Sequence, residues 1–307
     1  MIQIEGLTKK YGTTLAVDNI SFEVKTGEIL GFLGPNGAGK TTTMKVITCF
    51  MPPTEGDVLV DGLSVLEHSL AIRQRIGYLP EQNPLYNDLN VLDYLQYVAE
   101  LRDIPSQDRN RRIGGVVGSC GLREVLHKDV GELSKGYRQR LGLAQAMVHD
   151  PEILVLDEPT IGLDPNQIVE IRNLIRTLGK EKTVILSTHI LPEVQATCDR
   201  VVIIDRGKIV ADGTPEQLQA GFQGKDRLFL ELKGTDGFED RLKLVAGVDN
   251  VSVTRGERSS KVRIEAAKGS DVREELFRLA VEQGWVILEM RREQTSLEEV
   301  FRQLTEK

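Results

Sequence analysis

The chain has 307 residues, of which 40% are hydrophobic and 28% charged, and its formal net charge is −7 at pH 7. This composition is typical of a soluble globular protein, and no run approaches the roughly 18 apolar residues that a membrane-spanning helix requires. The acidic balance argues against nucleic acid as a partner, because phosphate backbones select basic surfaces.

The cysteines and the N-terminus indicate a reduced, cytoplasmic protein. Cys49, Cys120 and Cys198 form no close pair and are odd in number, which favours buried structural thiols over a disulfide framework. The opening stretch MIQIEGLTKKYG begins directly with strand-like alternation and has no apolar signal core.

The N-terminal part of the chain is predicted to alternate strands and helices. Short alternating strands are IQIEGL, ISFEV and DVLVDG, and the apolar strand GEILGFLG precedes the helical pattern KTTTMKVITCF. Further apolar strands are EILVLDE, TVILSTH and VVIIDRG, with the helix QIVEIRNLIRTL after the first of them. Such runs suit strands buried on both faces, so the order predicts an α/β fold with a mostly parallel sheet and crossover helices.

Two segments depart from this pattern. Residues 88–150 contain VLDYLQYVAELRDI and LGLAQAMVH without a buried strand, which predicts a helical insert. The stretch GFQGKDR, near residue 222, is a plausible linker, so we expect domains at 1–221 and 222–307. The second domain is predicted to be a small ferredoxin-like α+β unit of order βαββαβ, followed by a helix that Ser296 and Glu299 begin as a capping box.

A phosphate-binding loop is predicted after the first apolar strand. GPNGAGKTT, from Gly34 to Thr42, matches G-x-x-x-x-G-K-[ST] between a strand and a helix. Its backbone N–H groups would wrap phosphate oxygens, Lys40 would reach the β- and γ-phosphates, and Thr41 would ligate Mg²⁺. The candidate nucleotide-binding residues are Gly34, Asn36, Gly37, Ala38, Gly39, Lys40, Thr41 and Thr42.

Carboxylates and a histidine follow two later strands. In ILVLDEP, Asp157 is a candidate Mg²⁺ ligand and Glu158 a candidate catalytic base, although an acidic pair at this place is often a helix cap or a solvated loop. In TVILSTH, His189 is either a polar strand terminator or a catalytic group that orients the attacking water. Ligands are expected at the carboxyl ends of parallel strands, which favours the functional alternatives.

The stretch LSKGYRQR predicts a helix start that is unusual. Ser134 is suited to an N-cap, but Gly136 weakens a first turn and the cation of Lys135 opposes the helix dipole. A plain capped helix leaves the glycine and the lysine unexplained, whereas an anion bound at the helix start would explain both.

Together these motifs resemble the ATP-binding cassette (ABC) ATPases over about residues 1–220. The resemblance implies a P-loop NTPase cassette fold, in which an antiparallel β subdomain and a helical insert accompany the mostly parallel sheet. The resemblance implies that two subunits pair head to tail and that Ser134 and Gly136 bind the ATP of the partner chain. It also implies that Gln82 of YLPEQN is a catalytic and metal-binding residue, that Tyr11 stacks on adenine, and that Asp164 of GLDP belongs to the D-loop at the nucleotide. Lys135 and Tyr137 replace a glycine and a glutamine of the family motif, and Lys135 is either a further cation of the shared site or a solvated side chain.

The C-terminal unit and the ending TSLEEVFRQL resemble the ATPase subunits of exporters whose membrane domain is a separate polypeptide. The resemblance implies ATP and Mg²⁺ as cofactors, a second ATPase subunit, and a transmembrane permease contacted near Asn83 to Asn87. The protein would then lie at the cytoplasmic face of the inner membrane. The C-terminal domain is expected to dimerise or regulate.

Two other functions stay open from the sequence. A non-catalytic ATP-dependent regulatory module is disfavoured by the presence of Glu158 and His189, and a soluble ATPase acting on nucleic acid is disfavoured by the net charge. The cargo, and the choice between homodimer and heterodimer, also stay open.

Overall fold

A computed structural model of the chain describes residues 1–221, 226–234, 237–267, 270–293 and 296–305. The chain divides into two compact units, Met1–Pro215 together with the chain end from Leu304, and Glu216–Gln303. Most of the predicted linker lies outside the described residues, so the domain boundary after residue 221 stays a prediction. No helix within the described ranges is long and apolar enough to cross a membrane.

The first part of the chain alternates strands and helices, as expected. Its strands are β1 (Ile2–Tyr11), β2 (Thr14–Val24), β3 (Ile29–Leu33), β4 (Glu55–Val60), β5 (Leu63–Ser64), β6 (Ile76–Leu79), β7 (Ile153–Asp157), β8 (Thr183–Thr188), β9 (Arg200–Asp205) and β10 (Lys208–Gly213). Its helices are α1 (Lys40–Ile47), α2 (Ser69–Arg75), α3 (Val91–Leu101), α4 (Ser106–Ser119), α5 (Lys135–Met147), α6 (Pro165–Leu178), α7 (Leu191–Thr197) and α8 (Pro215–Gly221).

These strands form two sheets. The antiparallel sheet has the order β2-β1-β4-β5, and the larger sheet has the order β10-β9-β3-β8-β7-β6. Strands β9, β3, β8, β7 and β6 run parallel, and β10 joins antiparallel at the edge. The predicted α/β fold with a mostly parallel sheet and an antiparallel subdomain is therefore confirmed.

The central strands are apolar because both of their faces are covered. Every residue of β3, β7 and β8 is buried. Parallel pairing places the carboxyl ends of these three strands at one edge of the sheet. The phosphate loop, Glu158 and His189 follow these ends directly, so the topology brings the predicted site residues together.

The segment predicted as a helical insert contains α3, α4 and α5, and two short 3-10 turns. The Asn90 side chain begins α3 by accepting a hydrogen bond from the Asp93 N–H at 2.9 Å. Apolar side chains of the three helices, among them Leu95, Val117 and Leu143, are buried.

The C-terminal unit has the predicted βαββαβ order, followed by a last helix. Its elements are β11 (Asp226–Lys233), α9 (Glu239–Leu242), β12 (Val248–Arg255), β13 (Ser259–Ala266), α10 (Arg273–Glu282), β14 (Ile287–Glu293) and α11 (Leu297–Thr305). In the antiparallel sheet order β12-β13-β11-β14, one strand lies between β11 and β12, which α9 connects, and one between β13 and β14, which α10 connects. This is the split βαβ arrangement of a ferredoxin-like unit. Helix α9 is a single turn of four residues, and Ser296 begins α11 by accepting from the Glu299 N–H at 3.2 Å.

Each unit has a hydrophobic core of its own. The core cluster of the first unit is drawn from residues between Ile2 and Ile209, and that of the second from residues between Leu228 and Met290. Leu228, Leu230 and Leu232 project into the second core, where Trp285 packs edge-on against Phe238 with ring centres 5.0 Å apart.

Because the first core closes without the C-terminal unit, a fragment of residues 1–221 is expected to fold. Differential scanning calorimetry should show one cooperative transition for the fragment, within a few degrees of the corresponding transition in the full chain. A fragment that melts without a cooperative transition would contradict this division.

Candidate functional site

The loop from Gly34 to Thr42 surrounds a cleft of about 300 Å³ at the carboxyl edge of the parallel sheet. Gly39 has φ +112°, and a Cβ there would lie 2.6 Å from the Ala16 carbonyl oxygen, so only glycine fits. The cleft is lined by Ala16, Asn36, Gly37, Gly39, Lys40, Thr41, Thr42, Glu81, Glu158 and Ile161. Backbone N–H groups at the start of α1 belong to this loop, as anion binding requires.

Gly34 and Ala38, two predicted nucleotide-binding residues, lie behind the cleft wall. A Cβ on Gly34 would lie 2.4 Å from the Ile204 carbonyl oxygen, and Ala38 is buried. These residues hold the loop against the sheet without lining the cleft.

The Lys40 ammonium lies inside the cleft and is almost completely buried. It donates hydrogen bonds to the carbonyl oxygens of Gly34 at 2.8 Å and Pro35 at 3.2 Å. It also lies 3.3 Å from Oε1 of Glu158, so the phosphate loop and the end of β7 share one ion pair.

The Glu158 carboxylate connects this lysine to His189. Its Oε2 lies 2.9 Å from Nδ1 of His189, while its side chain is 5% exposed. Glu158 also has φ +49°, a left-handed conformation that costs a non-glycine residue about 1–3 kcal/mol. Its backbone N–H donates to Oγ of Ser187 at 3.0 Å, which helps to hold this conformation. A buried carboxylate in contact with an imidazole is suited to accept a proton.

Asp157 is a buried carboxylate with one free oxygen. Its Oδ1 accepts a hydrogen bond from Oγ of Ser187 at 2.5 Å, whereas Oδ2 is buried and has no hydrogen-bond partner among the described residues. Burial raises the pKa of Asp157. Hydrogen bonds from the Ser187 and Thr41 hydroxyls oppose the shift, and the negative charges of Glu81 and Glu158 add to it.

These groups fit a Mg²⁺ ion that is shared with phosphate. No cluster of three or more acidic, histidine or cysteine ligands was found within the described ranges, so no all-protein cage is present there. Mg²⁺ usually takes one or two carboxylates together with phosphate oxygens and water. The free Oδ2 of Asp157 and the nearby Thr41 hydroxyl suit such partial ligation.

The structure places Glu81, rather than Gln82, at the cleft. Gln82 is exposed and does not line the cavity, whereas the carboxylate of the preceding residue does. Gln82 directly follows this lining residue, and its catalytic and metal-binding role stays a prediction. Glu81 adds a negative charge near Asp157.

Four other predicted residues lie outside the cleft of their own chain. Tyr11 is 45% exposed and its hydroxyl lies 2.9 Å from the Met51 sulfur. Ser134 and Asp164 cap α5 and α6, accepting from the N–H groups three residues on. Gly136 is buried beside α6. The roles predicted for these four residues at a nucleotide stay predictions.

Lys135, for which two roles were left open, lies beside the D-loop of its own chain. A Cβ built on Gly162 would lie 1.9 Å from Nζ of Lys135, so the ammonium closely approaches this glycine. Sequence reasoning also missed Ala16 and Ile161 as cleft residues. Neither carries a chemical signal, because Ala16 on β2 and Ile161 after β7 are apolar residues that reach a ligand only through the fold.

Comparisons with known proteins agree on one family. A family model described as "ABC transporter" matches residues 17–161, and one described as "ATP-binding protein DrrA1-3-like, C-terminal domain" matches residues 213–305. The linearmycin resistance ATP-binding protein LnrL of Bacillus subtilis (strain 168) is 32% identical over 307 residues, which cover 99% of this chain and 98% of the relative. The probable multidrug ABC transporter ATP-binding protein YbhF of Escherichia coli (strain K12) is 39% identical over 221 residues, which cover 72% of this chain and only 38% of that protein.

The solved structures that resemble the chain include an ATP-binding cassette in a dimeric post-hydrolysis state, bound to ADP and Pi. The two chains superpose with a TM-score of 0.64 at 26% sequence identity, over 70% of this chain and 98% of the cassette.

The buried charge of Asp157 is expected to reduce stability when nucleotide and metal are removed. An aspartate whose pKa is raised by folding holds its proton better in the folded chain, so stability falls as pH rises from the ordinary value of 3.8 through the raised pKa. At pH 8 with EDTA, Asp157→Asn should raise the melting temperature by about 2–4 °C, and the gain should shrink at acidic pH.

The exposed Asp88→Asn replacement is the matched control for loss of one carboxylate and should not change the melting temperature. A lower melting temperature for Asp157→Asn at pH 8 would show that the charge is compensated within the chain.

Proposed function

Since the chain belongs to the ABC transporter family of ATP-binding proteins, we propose that it hydrolyses ATP to drive an exporter. The observation that carries this proposal is the Glu158 carboxylate, held between Lys40 and His189 at the phosphate-loop cleft. A regulatory module that only binds ATP would not need a strained, buried carboxylate in contact with an imidazole. The names of LnrL and YbhF, a resistance protein and a probable multidrug transporter protein, support export of a toxic small molecule.

Nucleotide binding would use the groups that line the cleft. The backbone N–H groups of Gly37 and Gly39 would donate hydrogen bonds to phosphate oxygens. The Lys40 ammonium would leave the carbonyl oxygens of Gly34 and Pro35 and contact the β- and γ-phosphates instead. Thr41 and Asp157 would hold Mg²⁺, which neutralises charge on the phosphates when it is bound. Glu81 also lines the cleft, and its carboxylate would provide a third oxygen ligand for the ion.

Hydrolysis would use Glu158 as the base. A water oxygen attacks the γ-phosphorus, the bond from that phosphorus to the β,γ-bridging oxygen breaks, and ADP leaves. Glu158 takes a proton from the water, while His189 holds the carboxylate in place and stabilises the γ-phosphate. The contact of 2.9 Å between Nδ1 of His189 and Oε2 of Glu158 supports these two roles.

The second half of the site would come from another copy of the chain or a related subunit. Ser134 is exposed at the start of α5 and does not line the cleft of its own chain. The start of this helix is therefore accessible to a nucleotide that a second subunit holds. The resemblance to a dimeric cassette bound to ADP and Pi supports this arrangement.

A groove in the first unit is the candidate contact for a separate membrane subunit. It has a volume of about 790 Å³ and lies between the ends of α1 and α2 and the ends of α3 and α4. Three of its apolar side chains, Phe50, Leu70 and Leu101, are each more than 60% exposed, which is unusual for groups of this size. Arg73, Asp103 and Asp108 surround them with charge. We infer that an amphipathic helical segment of the permease occupies this groove.

The loop predicted to contact the permease is bonded to the helix that Ser134 begins. The Asn83 side chain donates to the Arg138 carbonyl oxygen at 3.4 Å, and the Arg138 guanidinium donates to Oδ1 of Asn87 at 2.6 Å. Movement of this loop would therefore pull on α5 and on Ser134. Through these hydrogen bonds, the movement of ATP-driven dimer closure would be transmitted to a membrane partner.

We assign the C-terminal unit to dimerisation or regulation. The phosphate-loop cleft is formed entirely by residues of the first unit, between Ala16 and Ile161. The match of residues 213–305 to a C-terminal domain model of ATP-binding proteins supports a role attached to the ATPase.

Glu158→Gln is expected to bind ATP and to lose turnover. The amide keeps the shape of the side chain but cannot take a proton, so hydrolysis should fall by about 10²–10⁴-fold. Dimers should accumulate with ATP and Mg²⁺ because hydrolysis no longer reopens them, which light scattering on a sizing column measures.

The control is Glu152→Gln, since Glu152 is an exposed glutamate next to the start of the same strand. It should hydrolyse ATP at the wild-type rate and form no persistent dimer. Full turnover in Glu158→Gln would remove Glu158 from the role of base.

A further inference from the structure

A second buried carboxylate, that of Glu193, lies close to the hydrolytic residues. It belongs to the first turn of α7 and is 4% exposed. Its Oε2 accepts hydrogen bonds from the hydroxyls of Thr160 at 2.8 Å and Thr188 at 3.0 Å. Its Oε1 is buried and has no hydrogen-bond partner among the described residues. Burying a carboxylate without a cation costs stability, so its presence here calls for a compensating role.

The two hydroxyls belong to residues beside Glu158 and His189, at the ends of two neighbouring strands. Thr160 follows Glu158 by two residues after β7, and Thr188 directly precedes His189 at the end of β8. Because one oxygen atom accepts both hydrogen bonds, it fixes the distance between the loops. The Thr188 hydroxyl also accepts from the Ile190 N–H at 3.0 Å, which fixes the orientation of that side chain.

We propose that Glu193 is a positioning residue for hydrolysis, which keeps Glu158 and His189 in contact. The inference rests on the proposed ATPase function, since it concerns the residues that perform the reaction. Glu158 has a strained backbone, and strain persists only where the surroundings hold it. Thr160 and Thr188 are both buried, so the Glu193 contacts restrain the loops from inside the protein.

The first test compares three variants in the full chain. Glu193→Leu removes both acceptor contacts and should lower kcat by about 10–100-fold, with the Kd of a non-hydrolysable ATP analogue within twofold of wild type. Glu193→Gln keeps an oxygen that can accept both hydroxyls, so its kcat should stay within about threefold of wild type. Gln195→Leu is the control, because Gln195 is exposed on the same helix, and it should leave kcat unchanged.

The second readout does not depend on turnover. The chain has four histidines, so the ring signal of His189 can be assigned in an NMR spectrum by comparison with His189→Asn. Loss of the Glu193 contacts should move this signal in the nucleotide-free protein, because the imidazole leaves the Glu158 carboxylate. Glu193→Gln and Gln195→Leu should leave it in place.

Thr160→Val provides the test if Glu193→Leu does not fold. It removes one hydroxyl at nearly constant volume and should lower kcat by about 3–10-fold, whereas Thr160→Ser should restore it. Wild-type kcat and an unmoved His189 signal in folded Glu193→Leu or Thr160→Val would overturn the inference. An inactive wild-type chain would instead refute the proposed function, and the His189 signal would still decide whether Glu193 positions this residue.

Discussion

Lys40 and Glu158 form an ion pair at 3.3 Å in which both side chains are almost completely buried. Two charges removed from water are tolerated only when further hydrogen bonds satisfy them. The carbonyl oxygens of Gly34 and Pro35 do this for the lysine, and His189 does so for the carboxylate. The pair therefore sets the relative positions of the phosphate loop, the end of β7 and the end of β8. It also places a cation for phosphate beside the group that would take the proton.

The parallel sheet explains how distant parts of the sequence meet at this pair. Strands β3, β7 and β8 are adjacent and run in one direction, so the residues that follow them share one edge of the sheet. Sequence analysis predicted the phosphate loop, Asp157, Glu158 and His189 correctly as neighbours, because apolar strand patterns fix the direction in which the polar residues emerge. It also predicted the ferredoxin-like unit, because apolar residues that alternate with polar ones, such as Leu228, Leu230 and Leu232, mark the buried face of β11.

The remaining features depend on loop geometry that periodicity does not encode. That Glu81 lines the cleft depends on the backbone turn after Pro80, which no residue pattern in the sequence predicts. Ala16 reaches the cleft from strand β2 and Ile161 from the turn after β7, and neither apolar residue signals a ligand in the sequence. The residues expected to meet a nucleotide from the partner chain, among them Ser134, could be placed by resemblance alone. Ser134 and Asp164 are exposed outside their own cleft, which is compatible with that role, whereas Gly136 is buried beside α6.

The central claim is that Lys40 of one chain and Ser134 of another act on the same ATP, and complementation between two inactive variants tests it most directly. Lys40→Ala should fail to bind nucleotide, and Ser134→Ala should bind it without turnover. In a mixed dimer the Ser134→Ala chain still supplies Lys40, and the Lys40→Ala chain supplies Ser134, which completes one site. ATP hydrolysis by the mixture, after subunit exchange has been shown with differently tagged chains, should rise well above that of either variant alone. A mixture that exchanges subunits and stays inactive would contradict the shared site.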